Sequence, residues 1–177
     1  MEVFVEKEFL RMFLGERAIE LHKEYVEDCR LRLSILGKSG YGIEGKSYPE
    51  LCRARLGDAR GEILALSREV YLHEVYFDSF CQGGATSATV KRDFRSTASF
   101  LYALERLAMS SDGGFLLVSR VGDGVDMTVS TSPLDRMRGM PILALDICEH
   151  AYFLDYGFDK LSYVRGALSH LNLSRLG

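Results

Sequence analysis

The stretch LALDICEHAYFLDY (residues 143–156) begins as an apolar run and ends with helix-like spacing, so it reads as a strand passing directly into a helix. Asp146 stands at the end of the run, with Glu149 and His150 just beyond it. A carboxylate and an imidazole four residues apart at such a transition can aim at one centre. A third donor from another element would complete a three-ligand site suited to iron or manganese, and such a trio wants a fourth. His73, which follows an apolar stretch and precedes Tyr76-Phe77, is the candidate third donor.

Upstream of this stretch the periodicity divides the chain in two. Residues 6–35 carry Phe9, Phe13, Leu21, Tyr25, Val26, Cys29 and Leu33 at helical spacing, and predict one long helix. The segment 36–49, LGKSGYGIEGKSYP, is rich in Gly, Ser and Pro and predicts a loop. A second helix is expected from about Pro49 to Cys81, weakened by Gly57 and Gly61 and ended by Gly83-Gly84. Residues 86–110 read as a further helix with room for an early break. Two strands, 115–121 and 125–131, meet at Gly122-Asp123-Gly124, a hairpin signal. A third strand, Ile142–Ile147, leads into a closing helix near 149–171. The expected fold class is α+β: an N-terminal helical hairpin (1–84), then an α/β domain with a three-stranded antiparallel sheet (85–177).

Composition narrows the function classes. A chain of 177 residues, 47% hydrophobic, can bury a real core. A net charge of −3 argues against a broad nucleic-acid footprint or an anionic membrane surface. No signal-like or membrane-spanning run is present, so the expected location is cytoplasmic. Cys29, Cys52, Cys81 and Cys148 lack C-x-x-C spacing and read as thiols in a reducing compartment. GYGIEG (40–45) fits a dinucleotide-binding glycine pattern but no strand precedes it, and GKS (37–39) lacks the upstream Gly of a phosphate loop. Asn172-Leu-Ser174 is a glycosylation triplet by pattern only. Beside Lys23 and Glu24, His22 reads as a solvated helix residue, and His170 as a surface or capping residue.

Taken together, these residues resemble the iron/manganese superoxide dismutase family. Asp146-Ile-Cys-Glu149-His150-Ala151-Tyr152 is similar to its signature D-x-W-E-H-A-Y, which supplies two metal ligands. His73-Glu-Val-Tyr-Phe77 with Gly83-Gly84 is similar to H-x-x-F-W and its downstream glycine pair. His22-Lys-Glu-Tyr25-Val26 resembles the end of the family's H-x-x-x-H-H-x-x-Y-V helix. The order of elements agrees over nearly the whole chain, although the usual proline-containing lead is missing and the hairpin loop is longer.

The resemblance implies metal ligands at His73, Asp146 and His150, with Tyr25 at the substrate entrance. It also implies a homodimer bridged by Glu149 and His150. Counting back from Tyr25 places the family's first ligand on Arg17, which stays protonated and cannot ligate. The next His of that helix becomes Leu21, and its Tyr partner across the dimer becomes Phe153. With no Trp in the chain, the pocket walls fall to Phe77, Phe115, Leu117 and Cys148. Glu69 takes the place of a Gln that bonds metal-bound solvent in the iron-type enzymes.

Two expectations follow from these departures. In the preferred one, Arg17 lies between Asp146 and Glu69 in place of the metal's charge, and the chain is a non-catalytic homodimer without a cofactor. In the other, one iron or manganese ion per subunit is held by His73, Asp146, His150 and a substitute ligand, Glu69 in preference to His22, and superoxide is the substrate. The resemblance also admits a structural component of a larger assembly, against which the acidic balance weighs.

Overall fold

The computed structural model describes residues 7–43, 45–47, 50–51, 60–82, 87–132, 135 and 139–177. The expected loop 36–49 is described only in part, and Pro49, Gly57, Gly83-Gly84 and the expected domain boundary at 84/85 lie outside the described residues.

A short 3-10 turn, Lys7–Met12, precedes helix α1, Glu16–Leu36. One helix was expected over this span, and the break falls at Gly15. There the Gly15 N–H donates to Asp155 Oδ2 at 2.7 Å, and a Cβ would meet the other oxygen of that carboxylate, Oδ1, at 2.6 Å. The buried face of α1 is Ala18, Ile19, His22, Val26 and Cys29, a 3.6-residue period. Leu21 is half-buried and Tyr25 is 41% exposed, so the face lies about one residue away from the one read from the sequence.

Helix α2, Arg60–Phe77, lies beside α1, and the two are clasped at their outer edge by Arg30–Glu74 and Arg32–Glu62 pairs. Two helices, α3 (Ala88–Phe94) and α4 (Thr97–Met109), occupy the helical span expected over 86–110, with the early break that the sequence admits. Arg95, at φ +67°, separates them, and Ser87 and Ser96 cap their N-termini through Val90 N and Ser99 N.

Strands β1 (Phe115–Val121), β2 (Gly124–Ser130) and β3 (Met140–Asp146) form an antiparallel sheet in the order β2-β1-β3. This is the expected three-stranded sheet, and the β1–β2 hairpin closes at Val121↔Gly124 around Gly122, φ +58°. The end of β3 places Asp146 opposite Phe115. Helices α5 (Glu149–Tyr156) and α6 (Lys160–Ser169) replace the single closing helix, divided at Gly157, φ +56°.

The main core runs from Leu10, Phe13 and Ile19 through Tyr76, Phe100 and Leu117 to Tyr163 and Leu176, so helical and sheet parts share it. Helix α2 is tied to β3 by buried Ser79, just beyond its C-terminus. The Ser79 hydroxyl donates to the Val75 carbonyl at 2.6 Å and accepts from Ala144 N at 2.8 Å. Among the described residues Cys29 is buried and Cys81 and Cys148 are half-buried. No described helix is long and apolar enough to cross a membrane.

Candidate metal centre

Asp146 is fully buried at the end of β3, where its backbone carbonyl accepts from the Tyr163 hydroxyl at 2.7 Å. Its Oδ1 accepts from Cys148 N at 2.9 Å, which turns Oδ2 inward. Three residues later α5 begins, and its first turn brings His150 Nε2 to 2.9 Å from that Oδ2. His73, on α2 and fully buried, places Nε2 at 3.5 Å from the same oxygen, and His22, 2% exposed on α1, does so at 3.4 Å. The four donor atoms of His22, His73, Asp146 and His150 lie within 4.8 Å of one another.

The imidazoles on α1 and α2 are oriented alike. His22 Nδ1 faces the Ala18 carbonyl at 3.1 Å and His73 Nδ1 faces the Glu69 carbonyl at 2.8 Å. A ring whose Nδ1–H is given to the preceding turn presents the Nε2 lone pair on its other side. His22 Nε2, His73 Nε2 and Asp146 Oδ2 are buried and make no hydrogen bond among the described residues. They converge on a common point. Orphaned buried polar atoms of this kind are costly unless something fills the space between them. Three imidazole nitrogens and a carboxylate suit iron or manganese, so the residues fit such an ion.

The charge balance points the same way. Burial by itself would push the Asp146 carboxyl upward, but the contacts with His150, His22 and His73 outweigh it and hold the group well below the usual 3.8. An ionised carboxylate with no exposure needs a cation beside it.

The surroundings of the four donors are aromatic. Phe115 meets the His73 ring edge-on at 5.1 Å, and Phe77 lies 6.3 Å from His73 and 6.4 Å from His22. The Tyr25 ring stands 5.4 Å from His73 and 5.7 Å from His150. Burial, with the charges of Glu69 and Cys29 and hydrogen bonds to them, raises the Tyr25 hydroxyl above its ordinary range, so it keeps its proton. Glu69 Oε2 is 3.7 Å from His73 Nδ1, and its carboxyl is raised mainly by burial. Of the other wall residues read from the sequence, Cys148 accepts from Gly114 N at 3.0 Å, and Leu117 is in the core.

Three sequence expectations are corrected here. Arg17 is not in the site: its side chain is 63% exposed and pairs with Glu20 and Glu24 on the outer face of α1. His22 is not solvated and supplies the fourth donor, and Glu69 is beside the donor set without belonging to it. The signal that could have found His22 was the apolar face formed by Ala18, Ile19, Val26 and Cys29, which contains it.

A cluster of three imidazoles and one carboxylate able to hold an ion, between a helical pair and a strand-to-helix turn, defines the class of protein. The model of the iron/manganese superoxide dismutases, C-terminal domain, matches residues 82–176, and the chain belongs to this family. It is 32% identical over 129 residues to the superoxide dismutase [Fe] of Cupriavidus metallidurans, covering 68% of this chain and 66% of that protein. It is 23% identical over 179 residues to superoxide dismutase [Fe] 3, chloroplastic, of Arabidopsis thaliana, covering 92% and 66%. With a Plasmodium falciparum superoxide dismutase [Fe] it shares 29% identity over 119 residues, 61% of this chain and 60% of that one. The matches thus span two thirds or less of these relatives' own length.

Proposed function

We propose that the chain is a superoxide dismutase, converting two superoxide anions and two protons to dioxygen and hydrogen peroxide, with one iron or manganese ion per subunit. The observation that carries this reading is the convergence of His22, His73, Asp146 and His150 on one buried point. The non-catalytic reading rested on Arg17 as a lost ligand, and that residue lies on the surface. A bound ion would supply one-electron chemistry, alternating between its +2 and +3 states.

The chain's own residues do the rest. His22 and His73 are held by backbone carbonyls of their own helices, so their lone pairs are oriented before any ion arrives. Phe77 and Phe115 exclude water from the imidazole faces. Tyr25, still protonated and beside both His73 and His150, is placed to donate a hydrogen bond to a small anion or solvent entering the site.

The same reading makes the chain a homodimer, with Glu149 and His150 at the shared face. It is supported by exposed apolar side chains beside them, Phe153 at 45% and Leu154 at 54%.

The test is superoxide consumption by protein loaded with iron or with manganese, compared with His22→Ala and His73→Ala. Metal-dependent turnover that both substitutions abolish is the expected result. Equal, negligible rates in loaded wild type and both variants would overturn the proposal.

A further inference from the structure

Two cavities open on Tyr25 and His150, and they differ in chemistry. One, of about 510 Å³, adds Leu21, Phe153 and Leu154 to His22, so its outer wall is apolar. The other, of about 190 Å³, runs from the same two residues along Arg68 and Glu69 to Ser130, Thr131 and Ser132. An anion entering the first gives up its hydration against hydrocarbon, which is unfavourable without a compensating partner.

The second contains a guanidinium. Arg68 is 2% exposed, with Nη1 donating to the Asp135 carbonyl and Nη2 to the Ser130 hydroxyl. Both acceptors are neutral, and no described carboxylate lies within ion-pair distance of it. The Asp135 carboxylate accepts from Thr131 N at 3.0 Å, Ser132 N at 2.9 Å and the Ser130 hydroxyl at 3.3 Å, so it stands one hydroxyl away from the guanidinium and offsets its charge only in part. An arginine cannot shed its proton to relieve burial, so a permanent positive charge stands in the wall. Charges in low-dielectric clefts act over longer range than exposed ones.

We propose that the smaller cavity is an anion route to the metal centre, and that Arg68 is the steering residue that draws a small anion along it. The proposal deepens the dismutase reading and rests on it. Arg68 acts on the incoming anion and holds no ion itself. Glu69, in the same wall, opposes it and keeps strongly held anions from lodging there.

The test uses iron-loaded protein, with metal content measured first, and azide as the probe, read by the optical change on binding. Arg68→Met is expected to weaken azide binding about tenfold and to flatten its dependence on ionic strength. Arg68→Lys, which keeps the charge, is expected to retain most of the affinity. Thr131→Tyr, which narrows the small cavity, is expected to slow azide entry. Glu69→Gln is expected to tighten azide binding, and exposed Arg32→Met serves as the neutral control. Unchanged azide affinity in fully loaded Arg68→Met, or in Thr131→Tyr and Arg68→Lys an order of effects opposite to this, overturns the route alone. Failure of the wild-type protein to take up metal overturns the dismutase reading, and the route with it.

Discussion

At the scale of single residues, the account turns on which side chain of α1 faces Asp146. Successive helix positions are rotated by about 100° from one another, so an error of one residue exchanges an inward for an outward position. Counting from Tyr25 selects Arg17, whereas the buried face passes through Ala18 and His22. Substitution separates the two. His22→Ala is expected to weaken metal binding by at least about 100-fold, the upper range for partners that only orient ligands. Arg17→Ala is expected to leave metal content unchanged, and metal analysis of the purified variants reads both outcomes. Asp146 and His150 were legible because one continuous segment carries them, and the strand end and helix start fix their relative position. His73 was legible from its aromatic neighbours. His22 reads only as the second choice of substitute ligand, because counting back from Tyr25 puts Arg17 inward in its place.

At the scale of elements, the sheet and its hairpin follow from apolar runs and a Gly-Asp-Gly turn, which are local signals. The helix breaks are not local. Gly15 ends one turn and starts α1 because Asp155, from α5, reaches its N–H. The contact that seats α2 on β3 is equally distant in sequence. Ser79→Ala leaves Ala144 N–H buried without its partner, and is expected to cost about 1–3 kcal/mol in urea denaturation. The loop after β2 carries a pH dependence. Hydrogen bonds from the Ser132 and Thr131 amides and the Ser130 hydroxyl, with Arg68's charge, hold the Asp135 carboxyl below its ordinary 3.8 despite burial. A depressed folded-state value gives stability that is present above 3.8 and is lost as pH falls through the lower folded value. Asp135→Asn is therefore expected to destabilise the protein at pH 7 and to approach wild type in acid, measured by denaturation across pH.

At the scale of the whole molecule, one core unites the helices and the sheet, and the four donors come from α1, α2, the end of β3 and α5. The metal centre thus ties together elements distant in the chain. A ligand that binds only the folded state at about 1,000 times its Kd adds about 4 kcal/mol, so chelating the ion is expected to lower Tm on the order of 10 °C. Calorimetry with and without chelator checks this. Phe153 and Leu154 are expected at the dimer face, and Phe153→Asp should shift sedimentation toward the monomer. The class of fold was readable from element order, but its sharing of one core between the two halves was not, since core membership depends on contacts across the chain.

The most direct measurement is anomalous scattering at the iron or manganese edge from crystals of the metal-loaded protein. A single peak per subunit between His22 Nε2, His73 Nε2, His150 Nε2 and Asp146 Oδ2 is the predicted result. A peak that excludes His22, or a loaded crystal with no peak among these side chains, would contradict the account.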